Sequence, residues 1–221
     1  MSESTHLEGW SNKLAYFLSV ILHPIFLPTY LFTALFYWAG YIFYPLTEVQ
    51  ILIYLILLFI TTAIIPLASL SLFYFILNRF VGIKSFNMND KKERTLPFLF
   101  TGIIYSGITW LMFTQLNSPI LIIILLTTFT IGILAVTFIN SFWKISAHAT
   151  AWGLTTGCLM ILHHSIQNNY LLFPFVGSIL LSGIVISSRL QLQAHSTVEV
   201  YVGYLFGILV SIIGLYELVF I

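Results

Sequence analysis

Charge is scarce in this sequence. Asp, Glu, Lys and Arg together are 7% of 221 residues, eight cations against seven anions, too few to cover a water-soluble fold of this length. The formal net charge of +1 falls far short of the cation density that grips a polyphosphate backbone, so nucleic acid is excluded as a partner. Cysteine is nearly absent. Cys158 stands alone, which excludes an internal disulfide framework, and a lone thiol cannot make a metal site, so neither a metal nor another cofactor is expected. Internal repeats and low-complexity tracts are missing too, and no stretch alternates polar and apolar residues as the strands of a membrane barrel would. What fills the chain is hydrocarbon: 59% of residues are apolar or aromatic and the mean hydropathy is +1.02. These features predict an all-α fold, a polytopic bundle of transmembrane helices, because continuous apolar runs can satisfy their backbone in lipid only as helices.

Residues 1–13, MSESTHLEGWSNK, carry Glu3 and Glu8 and lack the basic start of a cleavable signal peptide, so they read as a polar N-terminal tail. Residues 14–221 then form a single membrane domain whose apolar runs cover 14–44, 49–78, 97–113, 120–143, 151–162, 171–187 and 200–221. The fifth run is short, and its helix must borrow 146–150 and His163 to span. The first contains His23, Pro24 and Pro28 and is expected to kink, so the count is six or seven spans. In the last run Gly203 and Gly207 form a small-xxx-small step suited to close helix packing.

With seven spans, all eight cations share one end of the bundle: Lys13, Arg79, Lys84, Lys91, Lys92, Arg94, Lys144 and Arg189. The connections at the other end, PLTE, QLNS and SIQNN, hold none. The positive-inside rule makes the cationic end cytoplasmic and the C-terminus external.

Three polar islands lie on that end, at 90–97, 144–148 and 188–199. The first offers Lys91, Lys92 and Arg94, the second Ser146 and His148, the third Arg189, His195 and Glu199. Cations and a hydroxyl are what the oxygens of a phosphoryl group need in a transition state. One histidine can attack phosphorus and the other can protonate the departing oxygen. His195 and Glu199 are four apart, so on a helix they share a face, and the carboxylate would fix the imidazole tautomer. Ser146 and His148 are two apart and splay on a regular helix, which predicts a loop or the first turn of a helix.

The islands resemble the three signature motifs of the type 2 phosphatidic acid phosphatase superfamily. SRLQLQAHSTVEVYVGYLFG, 188–207, is similar to the third motif in its Ser-Arg, its His after five intervening residues, its acid after three more and its glycine-spaced helix, with Glu199 where Asp is usual. KISAHAT resembles the second motif, Pro-Ser-Gly-His, with Ile145 for Pro and Ala147 for Gly, and NDKKERTLPF resembles the basic first motif with Thr95 and Leu96 inserted before Pro97. The resemblance implies a metal-independent lipid phosphatase of a bacterial inner membrane, with a membrane lipid phosphate as substrate. It implies His195 as the nucleophile forming a phosphohistidine, Glu199 orienting it, His148 as acid and then base, and Lys91 or Lys92, Arg94, Ser146 and Arg189 holding phosphoryl oxygens.

Other readings stay open at this point. The altered second motif also suits a degraded member that binds anionic lipid, and a transporter of small solutes would place polar groups along a path through the membrane. Lysines near helix ends commonly anchor at headgroups, and His23 either serves the kink or lines a lipid access path. The oligomeric state is open, because apolar outer faces look alike against lipid or another subunit.

Overall fold

The structure, a computed structural model, describes residues 9–69, 71, 75 and 91–216, with the backbone alone at 91–94. The first apolar run folds as two helices, α1 (Trp10–Ile21) and α2 (Leu27–Ala39), joined through a 3-10 turn at Pro24–Phe26. The break falls where the sequence requires it. A residue before proline is pushed out of the helical region, and His23 is extended, at φ −67° and ψ 140°, with its ring Nδ1 accepting the Ile25 N–H at 3.3 Å. The kinked pair still counts as one apolar unit, Trp10–Phe43.

α3 (Glu48–Phe59) opens with a capping box, Thr47 and Gln50 each satisfying the other's backbone N–H. It widens through one π turn at Ile60–Ile64 and runs on to Ser69. The carbonyl of Thr62 in that turn takes the Tyr105 hydroxyl at 2.9 Å. The remaining helices are α4 (Lys91–Thr114), α5 (Ile120–Phe142), α6 (Ala147–Ile166), α7 (Leu172–Gln191) and α8 (Thr197–Gly214), and among the described residues every element is helical. The chain is a multi-spanning membrane protein.

Among the described residues, six helical units are long and apolar enough to cross a bilayer. α6 is the helix of spanning length outside that set: its 20 residues cover about 30 Å at 1.5 Å per residue, yet it carries His148, Thr150, Thr155, Thr156, His163 and His164. Its polarity has a structural cause. Most residues from Ala149 to Leu162 are buried against other helices, so α6 meets little lipid and needs no apolar surface of its own. The six-or-seven expectation therefore resolves into six spans recognisable by hydropathy around an enclosed seventh helix, which takes in residues on both sides of its short apolar run.

Hydrogen bonds between elements define the two ends of the bundle. At one, Gln191 Nε2 donates to Asn12 Oδ1 at 2.7 Å, Asn140 Nδ2 to Thr95 Oγ1 at 3.2 Å, and Ser146 N to the Glu199 carbonyl at 3.3 Å. At the other, the Tyr54 hydroxyl reaches Ser118 Oγ at 3.0 Å and Asn168 Nδ2 the Trp38 carbonyl at 3.2 Å. Lys13, Lys144 and Arg189 thus belong to the first end, as does the start of α4; Arg79 and Lys84 lie outside the described residues.

α6 and α8 run side by side in the same direction, and their approach depends on glycine. A Cβ added at Gly153 would lie 2.0 Å from the Tyr204 carbonyl oxygen, and one at Gly207 would lie 2.0 Å from that of Thr150. Gly203, the other member of the expected step, is looser, with a Cβ 3.1 Å from the Ser146 carbonyl oxygen. The step therefore works within the bundle, against α6.

Candidate functional site

The helix pair α6 and α8 begins at the cationic end, and each N-terminus positions one of the expected histidines. Ser146 is the N-cap of α6: its Oγ accepts the Ala149 N–H at 3.4 Å and its backbone is extended. His148 is consequently in the first turn, as the two-residue spacing predicted. Its Nε2 lies 3.2 Å from the Ser19 carbonyl oxygen. A carbonyl only accepts, so Nε2 carries the proton and Nδ1 the lone pair in the neutral ring. One turn on, Trp152 Nε1 donates to the Leu22 carbonyl at 3.0 Å, and the Tyr30 hydroxyl donates to that of Ile21 at 2.9 Å. The carbonyls exposed by the end of α1 are thus met by side chains, two of them from α6.

The third island reaches the same place by a different device. α7 ends in a Schellman motif: Gln193 is left-handed at φ 51°, its N–H bonds the Leu190 carbonyl at 2.9 Å, and the Ala194 N–H bonds that of Arg189 at 3.1 Å. The reversal brings His195 back over the bundle, with Arg189 in the last turn of the preceding helix. Ser196 then caps α8 in a capping box with Glu199. Oε2 of Glu199 accepts both His195 Nδ1 at 2.8 Å and the Ser196 N–H at 3.2 Å. The expected pair forms, but not as two residues on one helical face: His195 precedes the N-cap, and the carboxylate reaches back across it.

With Nδ1–H held by Glu199, the lone pair of His195 is on Nε2. Burial is the largest influence on the ring and holds its pKa below the ordinary value, at about 4; Arg189 and Lys144 push the same way, against the Glu199 bond. His195 is neutral at pH 7.

Between these elements lies a cavity of about 510 Å³. Ser19, His23, His148, Arg189 and His195 line its polar part, and Tyr105, Phe129 and Leu154 its apolar part. From Val136 to Phe129 along α5, both lining residues, the wall extends about 10 Å at the helical rise of 1.5 Å per residue. An amphipathic cavity of this kind suits a ligand with an anionic head and a hydrocarbon body.

The structure brings together His148, His195 and Arg189, with Glu199 bonded behind His195. It does not bring Ser146 to the cavity. That residue is fully buried, its Oγ accepts from the first turn of α6, and its neighbours Ile145 and Ala147 form the wall. The side chains of Lys91, Lys92 and Arg94 lie outside the described residues, although Pro97, Phe98 and Thr101 of the same helix line the cavity. Among the described residues, no three His, Cys, Asp or Glu side chains converge as a metal centre would require.

Sequence reading missed Ser19, which carried no signal beyond its place one turn before the His23-Pro24 break. His23 was legible as a polar group in an apolar run; its ring meets His148 edge-on, centroids 4.9 Å apart. Neither a protein-family model, nor a curated protein, nor a solved structure matches this chain.

Proposed function

We propose that this protein is a membrane-embedded, metal-independent phosphatase that removes a phosphoryl group from a lipid mono- or diphosphate. The observation that carries the reading is one cavity lined by His148, His195 and Arg189 with apolar walls beneath them. No family match supports it, so it rests on the motif resemblance and on this convergence.

In the proposed cycle His195 Nε2 attacks phosphorus and the bond to the lipid oxygen breaks. Arg189 neutralises charge on the phosphoryl oxygens, and Lys91 or Lys92 and Arg94, from the start of α4, are assigned to the same task. His148, as an imidazolium beside the phosphoryl dianion, gives its Nδ1 proton to the leaving oxygen. Now neutral, it takes a proton from water, which attacks the phosphohistidine and releases phosphate. Glu199 fixes the His195 tautomer, and Ser146 holds the first turn of α6 rather than touching phosphate. The test is phosphate release by purified protein from a panel of lipid mono- and diphosphates in the presence of chelator. Release from at least one is expected, and silence across the panel would count against turnover.

The capping role of Ser146 and the replaced second-motif residues favour a second reading, a member that binds lipid phosphate without hydrolysing it. Binding of vanadate with no turnover on the same panel would select it.

The His195 environment gives a pH dependence with a defined sign. Protonation removes the nucleophilic lone pair, and a pKa held at about 4 keeps the ring neutral as pH falls from 7. Lys144 disfavours the imidazolium, so Lys144→Gln raises the His195 pKa and moves the acid limb of kcat/KM to higher pH than in the wild type. An unchanged or lowered limb in that variant would separate Lys144 from the nucleophile.

We assign the cationic end to the cytoplasm, in a bacterial inner membrane. In a Cys158→Ser background, an impermeant thiol reagent applied to intact cells is expected to label Gln167→Cys and spare Ser11→Cys. The reverse pattern inverts the protein.

A further inference from the structure

We propose that the break in the first span is a second binding element of the cavity, a subsite for the leaving group built from Ser19 and His23. The proposal deepens the phosphatase reading and rests on it for the position of the phosphoryl group.

Two independent observations point to a ligand there. The first is the hydroxyl of Ser19. Many Ser and Thr of these helices bond back to the carbonyl four residues before, as Thr33, Thr101, Ser106, Thr109, Thr137 and Ser182 do; Thr29 Oγ1 does not, but Thr29 does not line the cavity. Ser19 is buried, at 4% exposure, as Thr137 and Ser182 are, yet its Oγ has no partner among the described residues. A buried hydroxyl left unpaired is unfavourable, and a bound acceptor removes that penalty. The second is the tautomer of His23. Its Nδ1 accepts the Ile25 N–H, so the proton of the neutral ring sits on Nε2, and the residue lines the cavity beside His148. The break therefore offers two donors with no acceptor of their own in the described contacts.

Their position assigns the role. Ser19 holds His148 through its carbonyl and His23 packs edge-on against the same ring, so both flank the proposed proton donor. In an in-line displacement the acid lies on the leaving side, opposite the nucleophile. Groups beside His148 consequently face the lipid oxygen that departs and the atoms next to it. A hydroxyl and an imidazole N–H recognise acceptor oxygens, so the subsite takes a lipid phosphate whose leaving group carries an oxygen acceptor close to the scissile bond. That acceptor is supplied either by the ester oxygens of a glycerolipid or by the second phosphoryl group of a diphosphate. A plain alkyl phosphate supplies none.

Binding of non-hydrolysable phosphonates tests this without turnover. The probes are hexadecylphosphonate, the phosphonate analogue of phosphatidate and a hexadecyl methylene-bisphosphonate, each titrated into the purified full chain. The wild type is expected to bind one or both oxygen-bearing probes at least about tenfold more tightly than hexadecylphosphonate, the size of one or two hydrogen bonds to a charged or polar acceptor. Which probe shows the preference identifies the source of the acceptor. Ser19→Ala and His23→Asn are each expected to reduce that preference severalfold, weakening the oxygen-bearing probes more than hexadecylphosphonate. Asn retains a side-chain acceptor for the Ile25 N–H, so this variant keeps the cap while shortening the donor. His23→Gln, whose amide extends towards the Nε2 position, is expected to restore part of the preference.

Equal losses for all three probes, or a preference that survives both variants, would overturn the subsite, as would failure of the wild type to discriminate or to bind. Discrimination that depends on Ser19 and His23 in a protein that releases no phosphate would retain the subsite and remove the phosphatase reading.

Discussion

His195→Ala is expected to lower the proposed phosphate release by about 10⁴-fold or more and to leave the helical bundle folded. The size follows from the role, because removing a covalent nucleophile disables a step that its neighbours cannot perform in its place. Folding survives because the ring makes one side-chain bond, to a Glu199 oxygen that also accepts the Ser196 N–H and so keeps a partner in the variant. Rapid quenching distinguishes this loss from a damaged site. Wild-type protein mixed with labelled lipid phosphate is expected to form an acid-labile phosphohistidine that His195→Ala does not form. In His148→Asn the intermediate accumulates with a substrate whose leaving group departs without a proton, because activation of water is what that variant lacks. Full activity of His195→Ala at unchanged thermal stability would remove His195 from the chemistry.

The second large effect is mechanical. Gly153→Ala and Gly207→Ala each place a methyl carbon 2.0 Å from a backbone carbonyl oxygen of the facing helix, a contact that no rotamer change relieves. α6 and α8 must separate, at a cost of about 2–3 kcal/mol, the upper part of the range for overpacked interiors. The same displacement moves His148 on one helix relative to His195 at the start of the other, so the proposed phosphate release is expected to fall with stability. Gly177→Ala and Gly183→Ala on α7 are the controls. A Cβ at either meets nothing within 4 Å, and alanine favours helix over glycine, so both are expected to be neutral or slightly stabilising. Thermal unfolding in detergent reads all four. Similar midpoints for the two pairs would contradict the close approach of α6 and α8.

Much of this architecture was legible because lipid enforces simple rules. Helices facing hydrocarbon must be apolar, so hydropathy found each of them, and the His23-Pro24 break followed from the steric demand of proline. α6 was the least visible because it is the most enclosed: a helix covered by other helices is free to carry His148 and its threonines, and so loses the signature of a span. The Ser146–His148 spacing correctly implied a first turn, since residues two apart cannot share a helical face. The His195–Glu199 spacing gave the right contact through the wrong geometry. A four-residue interval fits a helical face and a capping box equally well, and the Schellman turn at Gln193 that decides between them involves a residue with no special preference for positive φ. Ser146 was read as a phosphate ligand from its type; its burial behind Ile145 and Ala147 depends on how α8 docks, which no local pattern encodes. Ser19 is the clearest omission. A serine in an apolar helix usually satisfies itself on its own backbone, and its failure to do so here follows from packing in three dimensions rather than from sequence.

The proposed chemistry requires chain-distant polar segments to enclose a single phosphoryl group at one end of the bundle. Its most direct test is an experimental structure of the purified protein with vanadate, a mimic of the phosphoryl group in transit. Vanadium bonded to His195 Nε2, with Arg189 and His148 in contact with its oxygens, is the predicted result. Vanadate bound elsewhere, or a saturated protein with the His195 and Arg189 side chains untouched, would contradict it.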